Sequence, residues 1–193
     1  MKRAVPFALF LSGLAAFAQT TSRVRGTITG LSGDVLSVKS REGRELRLQL
    51  APDTAVLVAK ATTLAEIKPG TYVGSATTKR ADGTLIAKEV HTLSPQVPEG
   101  HIPWDLEPGS MMTNANLSGV AQSTGGQEIT LKYKDGTQKI LVPPGTPIVT
   151  FVPGDRSALK SGETIFTSAR TEADGRMTVQ RIQVSKDGVK PAH

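Results

Sequence analysis

The residues with the richest chemistry stand close together in a proline-rich segment at the centre of the chain. Residues 94–116 hold the only tryptophan, Trp104, together with His101 and the adjacent pair Met111 and Met112. Imidazole and thioether groups are soft ligands that select Cu(I), and an indole ring can cover a bound cation through a cation–π contact. With His91 shortly before the segment, these side chains form a candidate copper site.

A second interpretation makes the same segment a structural anchor. Regular structure is disfavoured by its four prolines, Pro95, Pro98, Pro103 and Pro108. A purely flexible linker would be rich in Gly, Ser or charge and would not carry a Trp, so we expect the segment to be ordered against its neighbours. The anchoring or ligand-contacting residues are then Ile102, Trp104, Asp105 and Leu106. Because neighbouring extended side chains alternate, Met111 and Met112 would not both face one ion, which favours anchoring over metal binding.

Catalysis finds little support in the residue types. Nucleophilic catalysis needs a nucleophile, a base and an orienting group, yet the chain has no cysteine and few histidines. His193 is the last residue, and His91 is predicted to be a half-exposed strand residue. Asp105 and Glu107 could act as a carboxylate pair only if a pocket brought them together. We therefore predict that the protein is not an enzyme and holds no cofactor, with copper as the alternative.

The elements on either side of this segment are two versions of one sequence pattern. Residues 25–93 and 118–185 match at turns and at apolar positions alike. Gly26 corresponds to Gly119, and His91 corresponds to Gln183. Since neither His91 nor Tyr133 is duplicated, the repeat is a scaffold, and we expect the specific function in the unrepeated segment.

Each copy is predicted to be β-structure. Side-chain character alternates with period two, and turn residues such as Asp82-Gly83 recur about every ten residues. One short segment breaks the pattern in each copy, at 63–68 and 157–160, where a Thr or Ser precedes a single helical turn. Five or six short strands with one such turn predict a small barrel, of which the OB-fold is one version. The fold class is thus all-β, with two tandem OB-like barrels joined by an ordered linker.

The spacing of these positions resembles a family of small β-barrel domains of unknown function that occur in tandem in exported bacterial proteins. The resemblance rests on five stretches of the first copy: Gly26-Thr27-Ile28 through Val38, Leu46-x-Leu48, Pro52-x-Thr54-x-Val56, Leu64-x-x-Ile67-x-x-Gly70-x-x-Val73 and Asp82-Gly83-x-Leu85. It covers both repeats and implies the barrel fold. Relatives are sometimes labelled as components of metal transporters, and the resemblance transfers no catalytic residue.

The beginning of the chain predicts export. Lys2 and Arg3 precede an apolar stretch that ends in Ala16-Phe17-Ala18, the small-x-small pattern of a signal peptide. The stretch is shorter than the about 20 residues that span a bilayer, so an uncleaved anchor is the less favoured alternative. Without cysteine there is no lipid anchor. The predicted location is periplasmic or secreted, with no membrane-spanning segment after the signal is removed.

Charge and aromatic content narrow the partners. Loss of Lys2 and Arg3 lowers the net charge from +6 to +4, too little to indicate a nucleic-acid binder. The predicted second and third strands of the first copy, residues 35–50, carry no aromatic residue for base stacking. The predicted organisation is a signal peptide at 1–18, barrels at 23–93 and 117–186, a linker at 94–116 and a tail at 187–193. The predicted function is a non-enzymatic binding module of the cell envelope, for a small ligand or an envelope protein.

Overall fold

The computed structural model describes residues 20–191, so the predicted signal peptide and His193 lie outside the described residues. The described chain is all-β, with one short 3-10 helix at Arg156–Ala158. Its strands are β1 (Thr20–Ser32), β2 (Val35–Ser40), β3 (Glu45–Ala61), β4 (Tyr72–Lys79), β5 (Leu85–Thr92), β6 (Gly100–Pro103), β7 (Met111–Ser123), β8 (Gly126–Tyr133), β9 (Gly136–Val142), β10 (Ile148–Gly154), β11 (Thr164–Thr171) and β12 (Met177–Val184). No helix among residues 20–191 is long and apolar enough to cross a membrane.

Five strands close into a barrel. β1 pairs antiparallel with β2 and with β11, β2 pairs with β3, and β11 pairs with β12. The ring is completed by β12, which runs parallel to β3 from Met177 opposite Leu48 to Val184 opposite Val58. Alternate residues of each strand point inward and form the first core, which includes Val24, Ile28, Leu36, Val38, Leu48, Ile165, Val179 and Ile182.

The remaining long strands surround a second core. Their order is β5, β4, β7, β8 and β9, and β5 also pairs in parallel with β9 where Leu85 lies opposite Ile140. The second core includes Leu64, Val73, Val90, Ala115, Leu117, Ile129, Leu131 and Ile140. β10 joins the two sets, because it pairs antiparallel with β3 and in parallel with β5.

The two copies are interleaved, because each core takes strands from both of them. The first core takes β1, β2 and β3 from the first copy and β11 and β12 from the second. The second core takes β4 and β5 from the first copy and β7, β8 and β9 from the second. Because both copies carry the same apolar pattern, the last two strands of one copy fit the first three of the other. The linker therefore connects two copies that each contribute strands to both cores.

The predicted helical turns fall where expected, with differences in detail. In the second copy Arg156–Ala158 is capped by Asp155, whose Oδ1 accepts from the Ser157 backbone N–H at 2.7 Å, so the cap precedes the predicted Ser157. In the first copy the segment is a turn, in which the carboxylate of Glu66 accepts from the Thr63 N–H at 2.9 Å.

The central segment is ordered, as expected, but it is not irregular throughout. β6 and the first six residues of β7 lie within the predicted linker and form a hairpin, and β7 also pairs with β4 from Tyr72 opposite Asn116 to Thr77 opposite Met111. The prediction of irregular structure up to residue 116 is therefore wrong. Pro103 is accommodated because β6 is an edge strand, whose outer side needs no ladder hydrogen bond.

Candidate functional site

A cavity of about 190 Å³ lies between the barrel and the second set of strands. Both sets contribute to its wall, and the loop between β6 and β7 contributes Trp104. The lining residues used below are His91, Leu93, Val97, Trp104, Met112, Asn114, Phe166, Thr167, Arg181 and Gln183. The cavity thus contains two of the four predicted copper ligands and the predicted tryptophan.

A glycine of β4 makes room for the imidazole on one side of the cavity. Gly74 lies opposite His91 of β5 and opposite Asn114 of β7, and residues opposed across neighbouring strands point to the same face. A Cβ atom at Gly74 would stand 2.5 Å from Nε2 of His91, well inside van der Waals contact. The imidazole therefore lies directly over bare backbone, which only glycine provides.

His91 is more deeply placed than the sequence indicates. It is 5% exposed rather than half-exposed, and its ring meets Phe151 edge to face with centroids 6.4 Å apart. Its Nδ1 lies 3.8 Å from Oε1 of Glu89, which is also buried. Two ionisable side chains of β5 are thus held together on the face that carries the cavity.

The opposite wall belongs to the barrel's outer surface. Gln183 of β12 lies opposite Phe166 of β11, and both side chains line the cavity. The side-chain Oε1 of Gln183 is buried and has no hydrogen-bond partner among residues 20–191. Since Gln183 is the repeat counterpart of His91, equivalent positions of the two copies face one another across the same space.

The loop that carries Trp104 is tied to itself. The Trp104 backbone N–H donates to the Ser110 carbonyl at 2.8 Å, which closes the loop between β6 and β7. The oxygen of the buried Ser110 hydroxyl lies 2.9 Å from the Trp104 carbonyl and 2.7 Å from the Glu107 carbonyl, so its one proton is shared between these two acceptors. These bonds hold residues 104–110 as a compact unit over the cavity.

Two arginines of β1 hold the indole ring. The Arg23 guanidinium carbon lies 3.9 Å from the Trp104 ring centroid, a cation–π contact, and that of Arg25 lies 5.8 Å from it. Phe166 lies beside the same ring, with centroids 6.4 Å apart and planes inclined by 57°. Sequence reasoning missed Arg23 and Arg25, although two basic residues at i and i+2 on one strand do predict a basic outward stripe.

Ion pairs fasten the loop to both sides of the cavity. Nη2 of the buried Arg25 donates to Oδ1 of Asp105 at 2.7 Å, and Arg23 adds a longer contact of 3.6 Å. The hydrogen bond from Arg25 is the main reason that the pKa of Asp105 is lowered. On the other side, Nζ of Lys88 in β5 lies 2.9 Å from Oε1 of Glu107. Asp105 and Glu107 thus serve different strands and do not form a convergent carboxylate pair.

The four predicted copper ligands divide between two faces of the sheet. His101 lies opposite Thr113, and its Nδ1 is 2.8 Å from the Thr113 hydroxyl, whereas Ile102 lies opposite Met112. By strand alternation His101 and Met111 share one face, and Met112 lies with His91 on the other. Burial lowers the pKa of His101. Among residues 20–191 no three His, Asp or Glu side chains are placed to hold a metal ion.

The other predicted contact residues differ in their surroundings. Ile102 is 43% exposed and does not anchor the segment, because it lies on the edge strand β6. Leu106 is partly buried, and its carbonyl accepts from Arg41. Trp104 and Asp105 both contact the arginines of β1, and Met112 is buried in the sheet.

Comparison of the chain with protein-family models, with curated proteins and with solved structures finds no match. The resemblance to tandem OB-like domains stays a prediction. Function is therefore inferred from the chain's own residues.

Proposed function

We propose that this protein is a non-enzymatic binding module of the cell envelope, exported by its N-terminal signal, and that the cavity between the two cores is its ligand site. The observation that carries the proposal is the set of side chains that line the cavity. Trp104, Phe166, Met112 and Gln183 line one concave space, and ion pairs hold the Trp104 loop beside it. We infer that the second set of strands is, like the first, an OB-like barrel, so that the site lies between two barrels.

Several features favour binding over catalysis. The Thr167 hydroxyl in the wall already donates to the Arg181 carbonyl at 2.6 Å, so it is not poised as a nucleophile. The Asp105 carboxylate is engaged by Arg25. A mostly apolar cavity with few polar groups is the common form of a small-molecule site.

The size of the cavity favours a small ligand over a protein partner. At about 190 Å³ it is below the range of sites for drug-sized ligands. The exposed Ile102, where a partner protein could make contact, lies outside the cavity wall.

The single tryptophan gives a direct test. One indole N–H resonance reports on the cavity wall, and phenol, methoxybenzene and cyclohexanol serve as probes. We expect at least one of them to shift this resonance in a saturable way. The variant Leu93→Phe fills the cavity and should abolish the shift, while the control Val120→Phe, at an exposed position outside the wall, should keep it. The proposal fails if no probe gives a saturable shift, or if Leu93→Phe binds like the control.

A soft-metal carrier remains the second candidate, favoured by one observation: His91 and Met112 line the same cavity. Thioether and imidazole together suit Cu(I). A Cu(I) titration under reducing conditions, followed by Trp104 fluorescence, should then show binding that Met112→Leu weakens and Met111→Leu leaves intact. Equal effects of the two variants, or no binding, would remove this candidate.

A further inference from the structure

We propose that the ligand of this cavity is a small neutral aromatic molecule that carries one O–H or N–H donor, as phenol does. This assignment rests on the proposed binding function and narrows it to a chemical class. It joins four properties of the wall: its volume, its aromatic and apolar surface, its buried acceptor and its surrounding charge.

The volume suits a ligand with one ring. A protein cavity of about 150 Å³ lined by apolar side chains holds benzene. The space here is about 190 Å³, so it accommodates a six-membered ring with one or two further heavy atoms.

The surface of the wall suits an aromatic ring. Trp104 and Phe166 present two ring surfaces inclined to one another, between which a third ring can pack edge to face or offset. Met112 adds a thioether, which makes favourable contacts with aromatic edges. Leu93 and Val97 complete an apolar surface that offers no partner to a ligand with several hydroxyl groups.

The wall presents a buried acceptor, Oε1 of Gln183, that a ligand can satisfy. Nδ2 of Asn114 donates to the Pro98 carbonyl at 3.2 Å, and the Thr167 hydroxyl donates to the Arg181 carbonyl. Oε1 of Gln183 is buried with no hydrogen-bond partner among the described residues. A buried acceptor without a donor costs about 1–3 kcal/mol. A ligand hydroxyl or N–H removes that cost, whereas a ligand oxygen without hydrogen adds repulsion.

The charge around the cavity disfavours a cationic ligand, and the buried acceptor of Gln183 disfavours an anionic one. Arg23 and Arg25 lie over Trp104, and Arg181 lines the wall. The carboxylate of Asp105 pairs with Arg23 and Arg25, so these three guanidinium groups outnumber the carboxylate beside them. An organic cation would meet this excess of guanidinium groups. A carboxylate would bring its acceptor oxygens against the acceptor oxygen of Gln183. A neutral donor avoids both conflicts.

The test compares two probes that differ in one hydrogen-bond donor. Phenol and methoxybenzene share the ring and the oxygen atom, but only phenol can donate to Gln183. In the full-length mature protein we expect phenol to bind about tenfold more tightly, as the net worth of one hydrogen bond implies. Binding is followed by the Trp104 indole resonance in both titrations.

Variants of Gln183 test the origin of this preference. Gln183→Leu should lose or reverse the preference, and Gln183→Met should do the same if the leucine variant does not fold. The control Gln180→Leu, at an exposed position of the same strand, should keep the tenfold ratio. If methoxybenzene binds the wild type as tightly as phenol, or if both Gln183 variants keep the preference, the donor class is wrong while the cavity remains a binding site. If neither probe binds, the binding function fails with it.

Discussion

Nη2 of Arg25 lies 2.7 Å from Oδ1 of Asp105, although the two residues are 80 positions apart in the sequence. The pair is asymmetric: the arginine side chain is 6% exposed and the aspartate side chain 49%. A guanidinium that loses its water needs an anionic partner, whereas the carboxylate keeps part of its hydration. The loop over the cavity is thus held from beneath by a buried cation.

Removal of the Asp105 charge should loosen the Trp104 loop and destabilise the fold. Asp105→Asn keeps the size of the side chain but weakens its bond to the buried Arg25. We expect a loss of about 1–2 kcal/mol in the free energy of unfolding, since hydrogen bonds to charged groups contribute about that much. Urea unfolding measures it. Asp135→Asn in an exposed turn is the matched control and should change stability by about 0.5 kcal/mol or less. Equal effects of the two variants would contradict the role of the pair.

Protonation of Asp105 should release the Trp104 loop at a pH below the ordinary pKa of an aspartate. The hydrogen bond from Arg25 lowers the pKa of Asp105 below its ordinary value of 3.8. A carboxylate with a lowered pKa in the folded state stabilises that state fully above 3.8, and this stabilisation is lost as the pH falls through the folded-state pKa. Trp104 fluorescence should therefore change with a midpoint below 3.8, and Asp105→Asn should lack this step. A wild-type midpoint above 3.8 is the outcome that would rule it out.

Gly74→Ala should force His91 away from the cavity wall. The new Cβ would stand 2.5 Å from Nε2 of His91 and 2.8 Å from its Cε1. Overpacking of this kind costs about 1–3 kcal/mol. In a His91→Ala background the same substitution should cost at most half as much, because the colliding atoms are gone, and a double-mutant cycle measures this coupling. Gly119→Ala, where no atom lies within 4 Å of the new Cβ, serves as the control. Additive effects of Gly74→Ala and His91→Ala would show that the imidazole is not the obstacle.

After proteolytic cleavage between the two copies, the two fragments should stay associated. A protease site inserted between the exposed Pro95 and Gln96 divides the chain into its two repeats. Because each core takes strands from both repeats, the fragments should co-elute on size exclusion until they are denatured. The uncut insertion variant is the control for folding. Two separately folded fragments after cleavage would contradict the interleaved pairing.

The sequence predicts much of the local structure and little of the pairing. Alternation in stretches such as residues 35–40 identifies strands and their buried faces, since that signal lies within one strand. The choice of partner is a different matter, because β11 and β4 derive from equivalent parts of the two copies and present similar apolar patterns. Only the three-dimensional structure shows that β1 pairs with β11.

The candidate site is likewise predictable only where its signal is local in the sequence. Trp104 and Asp105 stand out by residue type in the central segment, and both prove to hold the loop. Their partner Arg25 does not stand out, because the contact spans 80 residues and no local pattern records it. The prolines of the central segment predict irregular structure throughout it. Pro103 and Pro108 both lie before β7, however, and β7 itself contains no proline, so the strand that begins at Met111 was missed.

The interleaving of the copies also affects when the chain can fold during its synthesis. β1 begins at Thr20, and its partner β11 begins only at Thr164. During translation, at about 5–20 residues per second, the first strands wait on the order of ten seconds before their last partners leave the ribosome. Until then the first core cannot close, whereas all five strands of the second core, which ends with β9 at Val142, have already been made. Such a delay is compatible with the export that we propose, because a chain threaded through a translocation pore has to arrive there unfolded.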